Sequence, residues 1–501
     1  MLILKRHFFL ILILIFAAFL LSLNIEKPFY GHHDWNGLWY STIARNFLRY
    51  GVFATKFGSV LNQDFVTPQE FQYFTHYTPV FPLLLALAFK IFGVFEASAR
   101  SLSILFSLFT LVLIYILGTK IFERGIGLTA AAFASVMPIF IYFGKMPVHD
   151  VLVLPMILLT IIAYYDYLKS PKTGNLIRLL LSLALAQFIH WAAYFLSIIL
   201  FIHWLSFYKS KDRLKAFIFP LISLGLFLLH LFHVYILTGS FFGGGLREIA
   251  LGRLNINSEG SRISLKLLVF QEFHWINAYF PKIILVLSLL FILYFLRNFR
   301  TLKQNISLQM MLIVFLAGIA YETIFINVTY YHDYVLIYLV PFIALSAAWA
   351  ISYIGEKFKL KSKIFILLVI LIACISLAEK ETFLKVLIWG VPGKEGYEMG
   401  KYINQNTESG QEILFLSPDF AHYFEVNVGY YADRKITYNL LDQKSLEGEI
   451  YTGKYSVVVA APQRDTLPES INFLSKHFQK SEAGKYFVFF LNKKSGESMS
   501  F

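Results

Sequence analysis

The chain has 501 residues, of which 57% are hydrophobic, 18% aromatic and only 15% charged, and its formal charge is +13. With a mean hydropathy of +0.62 it departs from soluble chains, which carry about 25% charged residues, and this excludes a soluble enzyme and a disordered chain. The single cysteine, Cys374, excludes an intrachain disulfide framework and a cysteine-rich zinc site.

Crossing a hydrocarbon core of about 30 Å takes about 20 apolar residues. Runs of this kind predict spans near 7–24, 98–118, 126–144, 150–168, 215–237, 281–296, 308–326, 334–352 and 364–379. The run 178–207 holds one long span or two short ones split around His190-Trp191, and with that split the spans number eleven. The fold class expected is therefore mainly α, a polytopic transmembrane bundle over 1–379, followed by a small α/β domain over 380–501.

The basic residues orient the bundle. Lys5 and Arg6 precede the first span, Lys120 and Arg124 follow the second, and Lys169, Lys172 and Arg178 follow the fourth. The pattern continues with Lys209 to Lys215, then Arg297, Arg300 and Lys303, then Lys357 to Lys363. Every second connection is basic, and such connections stay in the cytoplasm. A multi-pass cell-membrane protein is expected, with a cytoplasmic N-terminus and an extracytoplasmic C-terminal domain. Much of the charge excess is thereby a matter of orientation and calls for no nucleic-acid partner. The first 24 residues also have the basic start and apolar core of a signal peptide. Leu21-Ser22-Leu23-Asn24 is a poor cleavage site, so a retained span is expected.

Three segments fall outside the membrane. The loop 25–97 holds two predicted surface helices: 35–50, with Leu38, Trp39, Ile43, Phe47 and Leu48 near helical spacing and Gly51 as its stop, and 79–92, opened by Pro79 and Pro82. In the segment 238–280, the glycine-rich half through Arg262 reads as a flexible loop and 265–280 as a surface helix. The tail has β-type runs at 413–416, 455–460 and 486–491, helical patterns at 395–406 and 468–480, and turn residues such as Ser417-Pro418.

Polar groups collect at the predicted external boundary: His32-His33-Asp34, then Lys145, His149 and Asp150, then His332-Asp333. Ionisable groups at such depth are costly unless paired or functional. Each also has an ordinary structural explanation. Asp34 and Asp150 could cap the helices they begin, Lys145 could snorkel, and His332-Asp333 could pair at a helix head. His190, His203, His230, His233 and Glu322 read mostly as packed or interfacial residues. Gly243-Gly244-Gly245 with Arg247 could cradle a phosphate or simply be a floppy loop. His33, Asp34, His149 and Asp150 are acceptable ligand types for a divalent cation, with no short-range spacing to support one.

As a set, these motifs resemble the GT-C superfamily of membrane glycosyltransferases, in the branch of the protein mannosyltransferases and aminoarabinose transferases. His33-Asp34 followed by Tyr40-Ser41-Thr42-Ile43-Ala44-Arg45-Asn46 and Tyr50-Gly51 is similar to that family's acidic motif and surface helix. Thr75-His76-Tyr77-Thr78-Pro79, Phe92-Gly93 and Ala99-Arg100 are similar to its second surface helix and the entry to span two. Asp150 holds its second external acidic position, and Tyr331-His332-Asp333-Tyr334 with Pro341 resembles its late external motif. Tyr430-Tyr431-Ala432-Asp433-Arg434 resembles a stretch of related tails. Two departures stand out: the acidic pair of many members is Asp34-Trp35 here, and their Pro-Pro is Thr78-Pro79.

The resemblance implies transfer of a sugar from a dolichyl- or undecaprenyl-phosphate donor to an acceptor protein, lipid or polysaccharide, with inversion at the anomeric carbon. An attacking hydroxyl must lose its proton, and Asp34 is the carboxylate expected to take it. Lys145, His76, Arg247 and Arg253 are candidates for the leaving phosphate. Asp150 and His332 would orient donor or acceptor, with His33 and Asp333 nearby in sequence, and the loop 238–262 could close over the lipid sugar. No cofactor is firmly implied. A transporter or flippase would also have many spans, although no internal repeat is visible. A non-catalytic lipid-sugar receptor is the other alternative, favoured by the missing second carboxylate after Asp34.

Overall fold

The structure is a computed structural model that describes residues 2–63, 65–208, 210–256, 263–408, 410–416, 423–439, 441–460, 468–483 and 486–494. The Ser417-Pro418 turn and the 257–262 part of the expected closing loop lie outside the described residues. The chain forms two compact units, one of residues 1–25 and 74–389, the other of residues 26–73 and 390–501.

In chain order the elements begin with α1 (Leu2–Ser22), α2 (Trp35–Tyr50), β1 (Ser59–Val60), β2 (Tyr73–Phe74) and α3 (Val80–Phe92). There follow α4 (Glu96–Ile121), α5 (Arg124–Ser135), α6 (Pro138–Phe143), α7 (His149–Lys169), α8 (Thr173–Ile189), α9 (Ala192–Phe207) and α10 (Ile218–Thr238). The helical unit ends with α11 (Leu246–Arg253), α12 (Leu265–Tyr279), α13 (Lys282–Arg297), α14 (Ile306–Ile324), α15 (Ile326–Tyr331), α16 (Val340–Lys357) and α17 (Ser362–Trp389). Among the described residues six helices are long and apolar enough to cross a membrane, or seven if α12 and α13, bent by 118°, count as one span. Four shorter apolar helices accompany them. Every apolar run that predicted a span is helical, and the protein is a multi-pass membrane protein. The run 126–144 is broken into α5 and α6 because Pro138 cannot donate to the preceding turn.

Within this unit α7 packs on α8 and α4, and α13 packs on α16. The α4–α5 pair is close enough that a Cβ on Gly127 would lie 2.4 Å from the Tyr115 carbonyl oxygen. Small residues permit such approach where no hydrophobic force drives helices together in lipid. α10 presents Leu221, Leu224 and Leu228 outward and α17 presents Leu367 and Leu371, the surface expected of lipid-facing helices rather than of a soluble protein.

The second unit closes with α18 (Lys394–Asn406), β3 (Glu412–Leu416), α19 (Tyr423–Ala432), β4 (Lys435–Tyr438), α20 (Gln443–Tyr451), β5 (Tyr455–Ala460), α21 (Pro468–His477), β6 (Phe478–Ala483) and β7 (Tyr486–Lys494). The strands form one sheet in the order β4-β3-β5-β7-β6, parallel across β4, β3 and β5 and antiparallel beyond. Strand alternation sorts its two faces. Ile413, Phe415, Val457, Val459 and Phe490 pack on α18 and α19, while Leu414, Val458 and Phe489 pack on Leu446 and Leu474 of α20 and α21. The predicted helix over 468–480 ends at His477, and Phe478 instead begins β6.

The stretch Tyr430–Arg434 has a visible structural task in this unit. Arg45 and Arg49 of α2 reach Asp433 at 3.2 and 2.9 Å, and the Arg45 guanidinium lies 4.9 Å from the Tyr430 ring centre. The Phe29 N–H donates to the Tyr431 hydroxyl, and Asn427 donates back to the Phe29 carbonyl. The segment 26–73 and the tail thus fold against each other through residues some 400 positions apart.

Candidate functional site

In the helical unit the segment Thr75–Thr78 is fixed from several sides. Trp191 donates its indole N–H to the His76 carbonyl at 2.8 Å, and His230 of α10 lies 3.0 Å from the Thr75 carbonyl. Thr75 donates its hydroxyl to the Gly243 carbonyl at 2.8 Å, and Thr78 donates to the Phe188 carbonyl. Gly245 begins α11 with φ +77°, a left-handed conformation that a side chain would disfavour. A segment held by two outside side chains and by two of its own threonines is well anchored, and it presents His76 and Tyr77.

His76 is 3% exposed, and neither ring nitrogen has a hydrogen-bond partner among the described residues. Burial first, and the Arg253 charge second, hold its pKa well below the ordinary histidine value. The unfolded chain therefore takes up a proton near pH 6.5 that the folded protein refuses, so this contribution is intact above pH 6.5 and is lost as pH falls below it. Thermal melts of the parent should lose stability between pH 7.5 and 5.5, and His76→Gln should remove part of that loss. Identical pH slopes in the two proteins would contradict the burial argument.

Asp150 is the second residue of α7, where the helix dipole favours a carboxylate. Tyr338 donates to Asp150 Oδ1 at 2.7 Å, and His190 Nε2 lies 3.7 Å from the same oxygen. Tyr77 stacks between His149, at 4.6 Å between ring centres, and His190, at 4.8 Å. Arg253, at the end of α11, donates from Nη1 to the Tyr77 hydroxyl at 2.9 Å and to the Tyr321 hydroxyl at 3.0 Å. No carboxylate lies within ion-pair distance of Arg253 among the described residues. Lys120 by contrast pairs with Asp166, Lys380 with Glu379, and Arg45 and Arg49 with Asp433. A half-buried guanidinium held by two phenols and without a counter-ion is a ready anion site.

The other candidates of this unit make contacts of their own. Lys145 donates to the Leu23 carbonyl just beyond α1, where a cation complements the helix C-terminus. Arg247 is exposed on α11. Asp333 is buried and accepts from the Tyr279 hydroxyl at 2.5 Å, and His332 is tilted against Tyr334 at 5.3 Å between ring centres. In the second unit Asp34 is 7% exposed; it stands at the N-cap of α2 without capping that helix, and its Oδ2 accepts from the Gly31 N–H at 2.8 Å. His33 beside it has φ +58°. His190, Tyr321 and Tyr338 are absent from the sequence-derived candidates; the one signal for them was the His190-Trp191 break in an otherwise apolar run.

Known proteins bear on these features. Residues 76–236 match the family model of dolichyl-phosphate-mannose-protein mannosyltransferases. A comparison with curated proteins finds no match. Among solved structures, ArnT from Cupriavidus metallidurans bound to undecaprenyl phosphate is similar with a TM-score of 0.63 at 12% identity, over 98% of this chain and 100% of that one. The oligosaccharyltransferase of Archaeoglobus fulgidus is similar in its apo form, with a TM-score of 0.59 at 12% identity over 95% of this chain and 73% of that one. Its complex with zinc and sulfate gives 0.56 at 14% identity, over 96% and 73%. At such identities the structural likeness is one of fold. The chain is a multi-pass membrane protein with a fold like that of ArnT. The segment 76–236, about a third of the chain, is what matches the mannosyltransferase family model.

Proposed function

We propose that this protein transfers a sugar from a polyprenyl-phosphate donor to an acceptor hydroxyl on the external face of the membrane, with its N-terminus in the cytoplasm. The observation that carries this reading is Arg253, a guanidinium with no carboxylate at ion-pair distance among the described residues, which tyrosine hydroxyls and His190 link to the Asp150 carboxylate. A lipid phosphate supplies the missing anion, and the undecaprenyl phosphate in the similar ArnT structure supports a carrier of that kind.

In the reaction the acceptor oxygen attacks the anomeric carbon as the bond from that carbon to the phosphate oxygen breaks, which inverts the configuration. The bond's electron pair leaves with the polyprenyl phosphate, whose charge Arg253 stabilises. The acceptor proton passes to Asp34, and Asp150 orients the donor. His33, His76, Lys145, Arg247, His332 and Asp333 have subsidiary parts in binding, Lys145 through its hold on the chain after α1.

The test is transfer or hydrolysis of radiolabelled undecaprenyl- and dolichyl-phosphate sugars by the purified full chain. It is run with and without EDTA, because one similar structure carries zinc and carboxylates and imidazoles occur among the external residues. Turnover of at least one donor is expected. Lipid-sugar movement across vesicles without cleavage would replace the reading with a flippase, and donor binding without cleavage would replace it with a receptor.

A further inference from the structure

His190 has a directed role that its setting in an apolar run conceals. It is 2% exposed and sits in extended backbone between α8 and α9, at φ −155° and ψ 149°. The Ala192 N–H donates to its Nδ1 at 3.1 Å. That nitrogen is therefore an acceptor, and the ring proton of the neutral imidazole resides on Nε2. Tyr338 lies 3.4 Å from the same Nδ1, but its own proton goes to Asp150 at the shorter distance of 2.7 Å. The Nε2–H is aimed at the Tyr77 hydroxyl, 3.2 Å away, with Asp150 Oδ1 at 3.7 Å. Tyr77 is the residue that receives Arg253. The rings of His190 and Tyr77 stack within 20° of parallel, so neither turns without displacing the other.

We propose that His190 is a positioning residue: its fixed Nε2–H sets the Tyr77 hydroxyl, and through it the Arg253 guanidinium, to receive the donor phosphate in register with Asp150. The inference rests on the phosphate reading of Arg253 given above. A histidine that only filled space would be missed equally whether or not Arg253 were present. That difference is measurable.

The experiment uses the full chain in nanodiscs and undecaprenyl phosphate without sugar as the probe. His190→Phe should weaken binding about tenfold, and His190→Gln, whose amide N–H can stand near the Nε2 position, should stay within about threefold. In an Arg253→Met background, His190→Phe should add less than about twofold, because residues acting through one network are not additive. Nitrogen-15 spectra of the histidine-labelled parent should show the His190 resonances, identified by their loss in His190→Gln, with Nε2 protonated and Nδ1 bare. A protonated Nδ1 would overturn the proposal. So would binding by His190→Phe that equals the parent's, or a loss of equal size in the Arg253→Met background. Because the probe carries no sugar, failure to turn over any donor would count against the transferase reading alone. A parent that did not bind the lipid phosphate would defeat both.

Discussion

Asp34→Asn should reduce sugar transfer by about a thousandfold while binding of undecaprenyl phosphate stays within about threefold of the parent. General-base assistance contributes about 10² to 10⁴ in rate, and an amide of the same shape cannot take the acceptor proton. The substitution is mild for the fold. The Gly31 N–H that Asp34 receives at 2.8 Å can be received by the carbamoyl oxygen, and no helix cap is lost because Asp34 makes none. Initial rates, measured with whichever donor the parent consumes and at saturating acceptor, separate loss of chemistry from loss of binding. A rate within tenfold of the parent would remove Asp34 as the base and transfer that role to Asp150, whose carboxylate is already oriented by Tyr338.

What the sequence discloses of this protein follows from which forces act locally. Apolar runs and basic flanks are one-dimensional patterns, so the helical bundle could be located from them, including the break between α8 and α9 at His190-Trp191. The helices over Trp35–Tyr50 and Leu265–Tyr279 announce themselves through apolar spacing and their glycine, proline or aromatic ends. A segment as short as α11 does not. Its eight residues follow three glycines, and the burial of Leu246 and the bonds of Arg253 to Tyr77 and Tyr321 hold them in the folded chain. The network around Asp150 is less accessible still. Tyr77, His190, Tyr321 and Tyr338 come from four places separated by up to 261 positions, and each alone reads as an aromatic in an aromatic-rich chain. Only their hydroxyl and imidazole contacts distinguish them from packing residues. The same limit applies to Lys145 and Asp433. As charges at motif positions they invite a functional role, yet one meets the carbonyl of Leu23 and the other holds two arginines of α2.

Arg253→Met should weaken undecaprenyl-phosphate binding by about 30- to 100-fold and lower transfer by at least as much. Charge-assisted hydrogen bonds contribute about 1.5–3 kcal/mol each, and about 2–3 kcal/mol corresponds to that range of affinity. Methionine keeps much of the side-chain length and apolar stem, so the change removes donors and charge more than packing. The Tyr77 and Tyr321 hydroxyls, now 2.9 and 3.0 Å from Arg253 Nη1, would lose their common donor but could still bond to each other or to water. Arg253→Lys should recover only part of the loss. An ammonium restores the charge, but it lacks the planar fork that can hold two phenols with one nitrogen and leave others for phosphate. The measurement is binding of the lipid phosphate over a range of salt. Loss of an anion contact reduces the salt dependence as well as the affinity, whereas a general disturbance of the bundle lowers affinity at every salt concentration alike. A Met variant that binds as the parent does would detach Arg253 from the donor phosphate. The search for that anion site would then move to Arg247 on the exposed face of the same helix and to His76 beside Tyr77.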